Sequence, residues 1–184
     1  MKILAISGSI RKGSYNTQLL EAAREFFNDD VTVQMFDLAN VPLYNGDHDG
    51  DTKPEAVTEL LEAIEAADGL LIATPEYNYS IPGVLKNALD WASRPAFNSV
   101  LKGKPTGVIS SSMSGLGGAR AQIHVRDVLA ATLTPFYLAP DFALATAHNA
   151  FDDNGKLVDS STREFFQNYL TGFAQWVESQ VGEK

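Results

Sequence analysis

Gly8-Ser9-Ile10-Arg11-Lys12-Gly13-Ser14-Tyr15-Asn16-Thr17 follows directly on the apolar run Ile3-Leu4-Ala5-Ile6 and leads into a helical pattern. A strand, a turn of small polar residues and a helix, in that order, make a phosphate cradle. Residues without bulky side chains let backbone amides converge on an anion. The helix that starts near Tyr15 turns its unpaired N–H groups and the positive end of its dipole toward the same point. Hydroxyls and amide at Ser9, Ser14, Asn16 and Thr17 add donors, and Arg11 adds a fixed charge able to bond a phosphate through two donors. The plainer reading is a strand-to-helix connection with Ser14 as N-cap and a solvated arginine. The remainder of the chain decides between them.

Outward from this loop the pattern repeats. Gly69–Thr74 and Thr106–Ser110 are further apolar runs without polar alternation, as expected of strands covered on both faces. Val31–Phe36 alternates and reads as an edge strand. Phe136, Tyr137 and Leu138, entered from Pro135, read as a short fifth strand at the other edge. Helical spacing falls on Leu19 to Phe27, on Val57 to Ile64 after Pro54, on Val84 to Ala92, on about Ala119 to Thr132, and on Phe165 to Val177. The aromatics of the last segment read as core. His124 falls in the fourth helix and reads as structural. Asn154-Gly155 marks a surface turn of the type that needs two residues at positive φ.

Five strands alternating with five helices predict one α/β domain over residues 1–184. It is a doubly wound parallel sheet in the order 2-1-3-4-5. Such a sheet binds ligands beyond the carboxyl ends of its strands, between strands one and three, where the order reverses. Three segments meet there: the first loop, Pro75-Glu76-Tyr77-Asn78-Tyr79-Ser80-Ile81-Pro82-Gly83, and the small-residue loop Ser111 to Gly118. The first takes a phosphate, the second offers rings, carboxylate and amide, and the third offers backbone amides. FMN, with a phosphate at one end and a flat polar ring at the other, suits all three.

Composition narrows the function. A net charge of -9 argues against nucleic-acid binding by phosphate neutralisation. The absence of cysteine removes dithiol redox chemistry and thiolate metal sites, so redox work would need a bound cofactor. The acidic stretch Asp47 to Asp51 has Thr58 where a calcium loop needs its closing glutamate, so no metal site is expected. No apolar run approaches a membrane span, and the start of the chain carries no signal-like segment, which makes a cytoplasmic protein the expectation. A serine hydrolase is disfavoured because no Gly-x-Ser-x-Gly elbow occurs.

Gly-Ser-x-Arg-x-x-Ser-x-Asn at 8–16, Pro-Glu-Tyr-Asn at 75–78 followed by Ser80, Pro82-Gly83, Leu85-Lys86-Asn87 and Asp90-Trp91, and the glycine loop leading to Arg120 resemble the NADPH-dependent FMN reductase family over nearly the whole chain. The resemblance implies a flavodoxin-like fold and non-covalent FMN. It also implies NADPH or NADH as donor, a quinone, chromate, azo or flavin acceptor, and a homodimer or homotetramer. It assigns Ser9, Arg11, Ser14, Asn16 and Thr17 to the FMN phosphate, and Pro75, Glu76, Tyr77 and Asn78 to the ribityl chain and ring. Ser112, Ser114, Gly115 and Gly118 border the ring from the other side. No side chain is required as acid or base. Glu76 can serve as a ligand or as a carboxylate that fixes its loop, and Arg94 and Arg120 are candidates for the nucleotide phosphates. The alternative is a flavodoxin-type carrier of single electrons, which the acidic charge suits but the first loop, without the threonine-rich form such carriers use, does not.

Overall fold

The computed structural model describes residues 1–182. Its strands are β1 (Lys2–Ser7), β2 (Thr32–Phe36), β3 (Gly69–Thr74), β4 (Thr106–Ser111) and β5 (Ala143–Leu144), and its helices α1 (Tyr15–Ala23), α2 (Glu55–Ala66), α3 (Gly83–Ala92), α4 (Ala119–Ala131) and α5 (Ser160–Gly182). All pairings are parallel and the order is β2-β1-β3-β4-β5, a flavodoxin-like sheet as expected.

Successive residues of a strand point to opposite faces, so the apolar runs of β1 and β3 feed two cores at once. Leu4, Ile6, Leu70 and Ile72 pack on one face with Leu60 and Ile64 of α2, Leu89 and Trp91 of α3 and Leu129 of α4. Ile3, Ala5, Leu71 and Ala73 pack on the other with Leu19 and Leu20 of α1 and Phe166, Leu170, Phe173 and Val177 of α5. Phe165, also expected in the core, is 42% exposed at the margin. β2 is only half buried, as its alternation implies. Asp159 starts α5: its carboxylate accepts from the Ser161 hydroxyl and from the hydroxyl and N–H of Thr162, which holds its pKa at about 2.

The fifth strand differs from expectation. Phe136 makes only a single bridge to Thr106, the chain then leaves the sheet, and the strand proper is Ala143–Leu144, beside Ser110 and Ser111. Tyr137 explains the departure. Its ring is held by Tyr169, Phe173 and Trp176 of α5 at centroid distances of 5.4, 5.9 and 5.6 Å, and Pro140 follows without an N–H for the ladder. The gap opposite Val108 is filled by the Tyr169 hydroxyl, which donates to Val108 O at 3.0 Å and accepts from Val108 N at 3.1 Å. Burial pushes this phenol well above its ordinary pKa, so it stays a donor. Tyr169→Phe leaves two buried backbone groups without partners and is expected to cost about 2–4 kcal/mol; a denaturant titration showing less than about 0.5 kcal/mol would contradict this. The Asn154-Gly155 turn also departs from the reading: only Gly155, at φ 77°, adopts positive φ.

Candidate functional site

β1, β3 and β4 end at the same level, with Ser7 beside Ala73 and Thr74 beside Ser110, so the loops that leave them converge. Gly8 donates its N–H to Ala73 O at 2.8 Å, which holds the first loop against the second. Ser7 Oγ accepts from Ser9 N at 3.3 Å and from Thr17 Oγ1 at 3.0 Å. Ser14 is the N-cap of α1: its hydroxyl accepts from Thr17 N at 3.4 Å and its carbonyl from Gln18 N at 3.0 Å. The N–H groups of Tyr15 and Asn16, in the first turn, have no carbonyl within the helix to meet and face the loop. Arg11 is exposed. Its guanidinium donates to Lys12 O at 3.1 Å and lies 5.6 Å from the Tyr15 ring, and among the described residues no carboxylate pairs with it. Asn16 is buried, and its amide is turned onto β4: Nδ2 donates to Ser111 O at 3.0 Å and Oδ1 accepts from Ser111 N at 2.9 Å. Its backbone N–H, in the first turn of α1, is the group directed by the helix toward an anion.

In the second loop Tyr77 and Ser80 exchange two backbone hydrogen bonds of 3.0 Å around Asn78 and Tyr79, whose φ values are 50° and 68°. This is a two-residue turn of the primed type, natural for asparagine and strained for tyrosine. α4 supports it. Arg120 sets its guanidinium 4.0 Å from the centroid of the Tyr79 ring, and His124 pairs with Ser80. Glu76, with only 12% of its side chain exposed, accepts from Arg120 N at 3.1 Å and from Arg120 Nη1 at 2.9 Å. Its carboxylate therefore serves the orphan Arg120 amide in the first turn of α4, where the N-cap Gly118 has no side chain to do so. Of the two roles open to Glu76, this geometry is the loop-fixing one.

The third loop is tied to β5 by Ser112 N to Leu144 O at 3.0 Å and to the next segment by Ala147 N to Ser112 O at 3.0 Å. Ser112 Oγ accepts from Ser114 N at 3.1 Å. A cleft of roughly 320 Å³ opens among the three loops, and of the expected residues Ser9, Arg11, Ser14, Asn16, Pro75, Glu76, Tyr77 and Ser112 line it. Thr17 lies behind, against Ser7; Asn78 is at the turn tip; Ser114 and Gly115 are on the exposed rim; and Gly118 is buried against Ser110. Tyr15, Ser111 and Met113 also line the cleft. Ser111 is the informative addition, since its hydroxyl is buried and has no hydrogen-bond partner. A serine ending an apolar strand beside the small-residue loop was the available signal. The groove of about 390 Å³ beyond Arg11 is larger, but Glu21 and Glu25 line it, and of the three loops only the first reaches it, beside the Asn154-Gly155 turn.

An uncompensated arginine and helix amides at one end of a cleft, with rings and a lone buried hydroxyl along it, at the switch point of a doubly wound sheet, define a flavodoxin-like nucleotide-binding protein. The chain belongs to the NADPH-dependent FMN reductase family, whose model matches residues 1–149. It is 43% identical to an NAD(P)H-dependent FMN reductase of Pseudomonas aeruginosa, over 99% of this chain and 98% of that one. It is 41% identical to a 2-hydroxy-1,4-benzoquinone reductase of Burkholderia sp, over 98% of each. Among solved structures, the flavoenzyme NAD(P)H:(acceptor) oxidoreductase FerB of Paracoccus denitrificans superimposes with a TM-score of 0.90 at 33% identity, covering 97% of this chain and 98% of that one.

Proposed function

We propose that this protein is an FMN-containing NAD(P)H-dependent reductase of quinones or similar small acceptors, a single domain over residues 1–184 that works in the cytoplasm as a homodimer or homotetramer. The observation that carries the reading is the pairing, in one cleft, of an Arg11 charge without a carboxylate partner and a Ser111 hydroxyl buried without a hydrogen-bond partner. Arg11 is a charged donor open to an anionic ligand, and the Ser111 hydroxyl is an unused polar group beneath the cleft floor.

FMN suits these residues. Ser9, Arg11, Ser14 and the first-turn amides of α1 hold its phosphate, with Asn16 and Thr17 keeping that loop in shape. Pro75, Glu76 and Tyr77 form the wall along the ribityl chain and ring, with Asn78 at the turn tip, and Ser112 forms the opposite one, with Ser114 and Gly115 on its rim, Gly118 behind it against Ser110 and Ser111 beneath. Bound there, FMN supplies the two-electron relay between nicotinamide and acceptor. The protein's contribution is orientation and a fixed array of dipoles, and no residue is assigned as catalytic acid or base. Among the described residues no helix is long and apolar enough to cross a membrane, and an acceptor that diffuses to the open cleft fits this arrangement.

The purified protein is expected to be yellow, to lose its visible flavin band on anaerobic addition of NADPH, and to recover it when a benzoquinone is added. A yellow protein that NADPH leaves unchanged would instead be a carrier of single electrons, and a colourless one that takes up no FMN would overturn the cofactor.

A further inference from the structure

We infer that His124 is a positioning residue for the cleft, holding the Tyr77 wall in place through Ser80; its consequence for turnover rests on the proposed function. Tyr77 lines the cleft, yet its own segment offers little to hold it. Its backbone is bonded only to Ser80, across a turn whose two central residues are both at positive φ, one of them a tyrosine. Such a turn persists only when its surroundings hold it. Arg120 and His124, four residues apart, share one face of α4 and reach consecutive residues of the turn. Arg120 lies on the Tyr79 ring, and His124 Nδ1 is 2.9 Å from Ser80 Oγ.

Arg120 is already committed to Glu76 through its guanidinium and its amide. The His124–Ser80 pair is thus the separate fastening of the turn's C-terminal residue, and through the two 3.0 Å backbone bonds any shift of Ser80 reaches Tyr77. His124 is exposed, so altering it opens no core cavity. Its geometry also makes a demand that packing alone would not: a nitrogen at the Nδ1 position. Asparagine can put its amide there, glutamine extends past it, and phenylalanine keeps the ring without the nitrogen.

The test compares the FMN-loaded enzyme with His124→Asn, His124→Gln, His124→Phe, Ser80→Ala and the Ser80→Ala/His124→Phe double variant. Quinone kinetics and hydrogen exchange of the Tyr77 and Ser80 amides are measured on each. His124→Phe, His124→Gln and Ser80→Ala are expected to lose about threefold to tenfold in kcat/KM, carried by KM for the quinone, and to exchange those amides faster by a similar factor. His124→Asn should stay within about twofold of the parent, and the double variant should be no worse than either single change. Unchanged exchange in His124→Phe, an Asn variant no better than the Gln variant, or additive losses in the double variant would each overturn the assignment. If the parent enzyme itself reduces no quinone, the proposed function fails, while the exchange data still decide whether His124 holds the turn.

Discussion

Replacing Arg11 and Ser14 together by alanine is expected to yield a folded protein that purifies without flavin. The phosphate end of the cleft has one full positive charge, Arg11, and no described carboxylate competes for it. A hydrogen bond to a charged group is worth about 1.5–3 kcal/mol, and loss of the Ser14 hydroxyl removes a second donor and loosens the α1 amides that point to the same phosphate. Together these raise the FMN dissociation constant about 10²–10³-fold, enough to lose the cofactor on a column. The fold should survive, because Arg11 is exposed and an N-cap deletion costs about 1 kcal/mol. Absorbance of the purified variant and its far-ultraviolet circular dichroism make the check. Full flavin content in the double variant would remove the phosphate from this loop.

Gly117→Ala is expected to be the most damaging single substitution near the cleft. Gly117 sits at φ 60°, and a Cβ there would lie 2.5 Å from Ala143 O and 2.6 Å from Ala143 C. Those atoms are backbone of β5, which cannot swing aside as a side chain could. Strain at positive φ and the displaced strand together should cost about 3 kcal/mol or more, lowering the melting temperature by about 6–12 °C. Because Ser112 N is bonded to Leu144 O on the same short strand, the third loop should shift with it and flavin affinity should fall as well. Gly115→Ala is the control: nothing lies within 4 Å of the carbon it would add, and stability should change by less than about 0.5 kcal/mol. Equal melting temperatures for the two variants would contradict this account of the loop.

Strand order and the place of the cleft were legible because burial leaves a plain mark on sequence. The unalternating runs of β1, β3 and β4 can only be central, and the alternating β2 only an edge. Small residues at the strand ends then mark where a ligand can approach the backbone. The fifth strand was misread because Phe136-Tyr137-Leu138 is the more strand-like stretch locally. Ala143–Leu144 has little signal of its own, and the choice was made by α5, whose aromatic rings take Tyr137 and whose Tyr169 hydroxyl closes the gap at Val108.

The site divides along the same line. By itself the sequence determined which three loops meet and which chemical groups they bring, since those follow from topology and composition. Only the tertiary structure decided what each group does there. Asn16 is spent on Ser111, Glu76 is spent on Arg120, the Ser111 hydroxyl is left buried and alone, and His124 turns out to grip Ser80 rather than merely fill its helix. Hydrogen bonds are short-ranged and directional, so whether a polar side chain faces a ligand or another loop depends on fractions of an ångström between segments 44 to 95 residues apart, separations that periodicity cannot see.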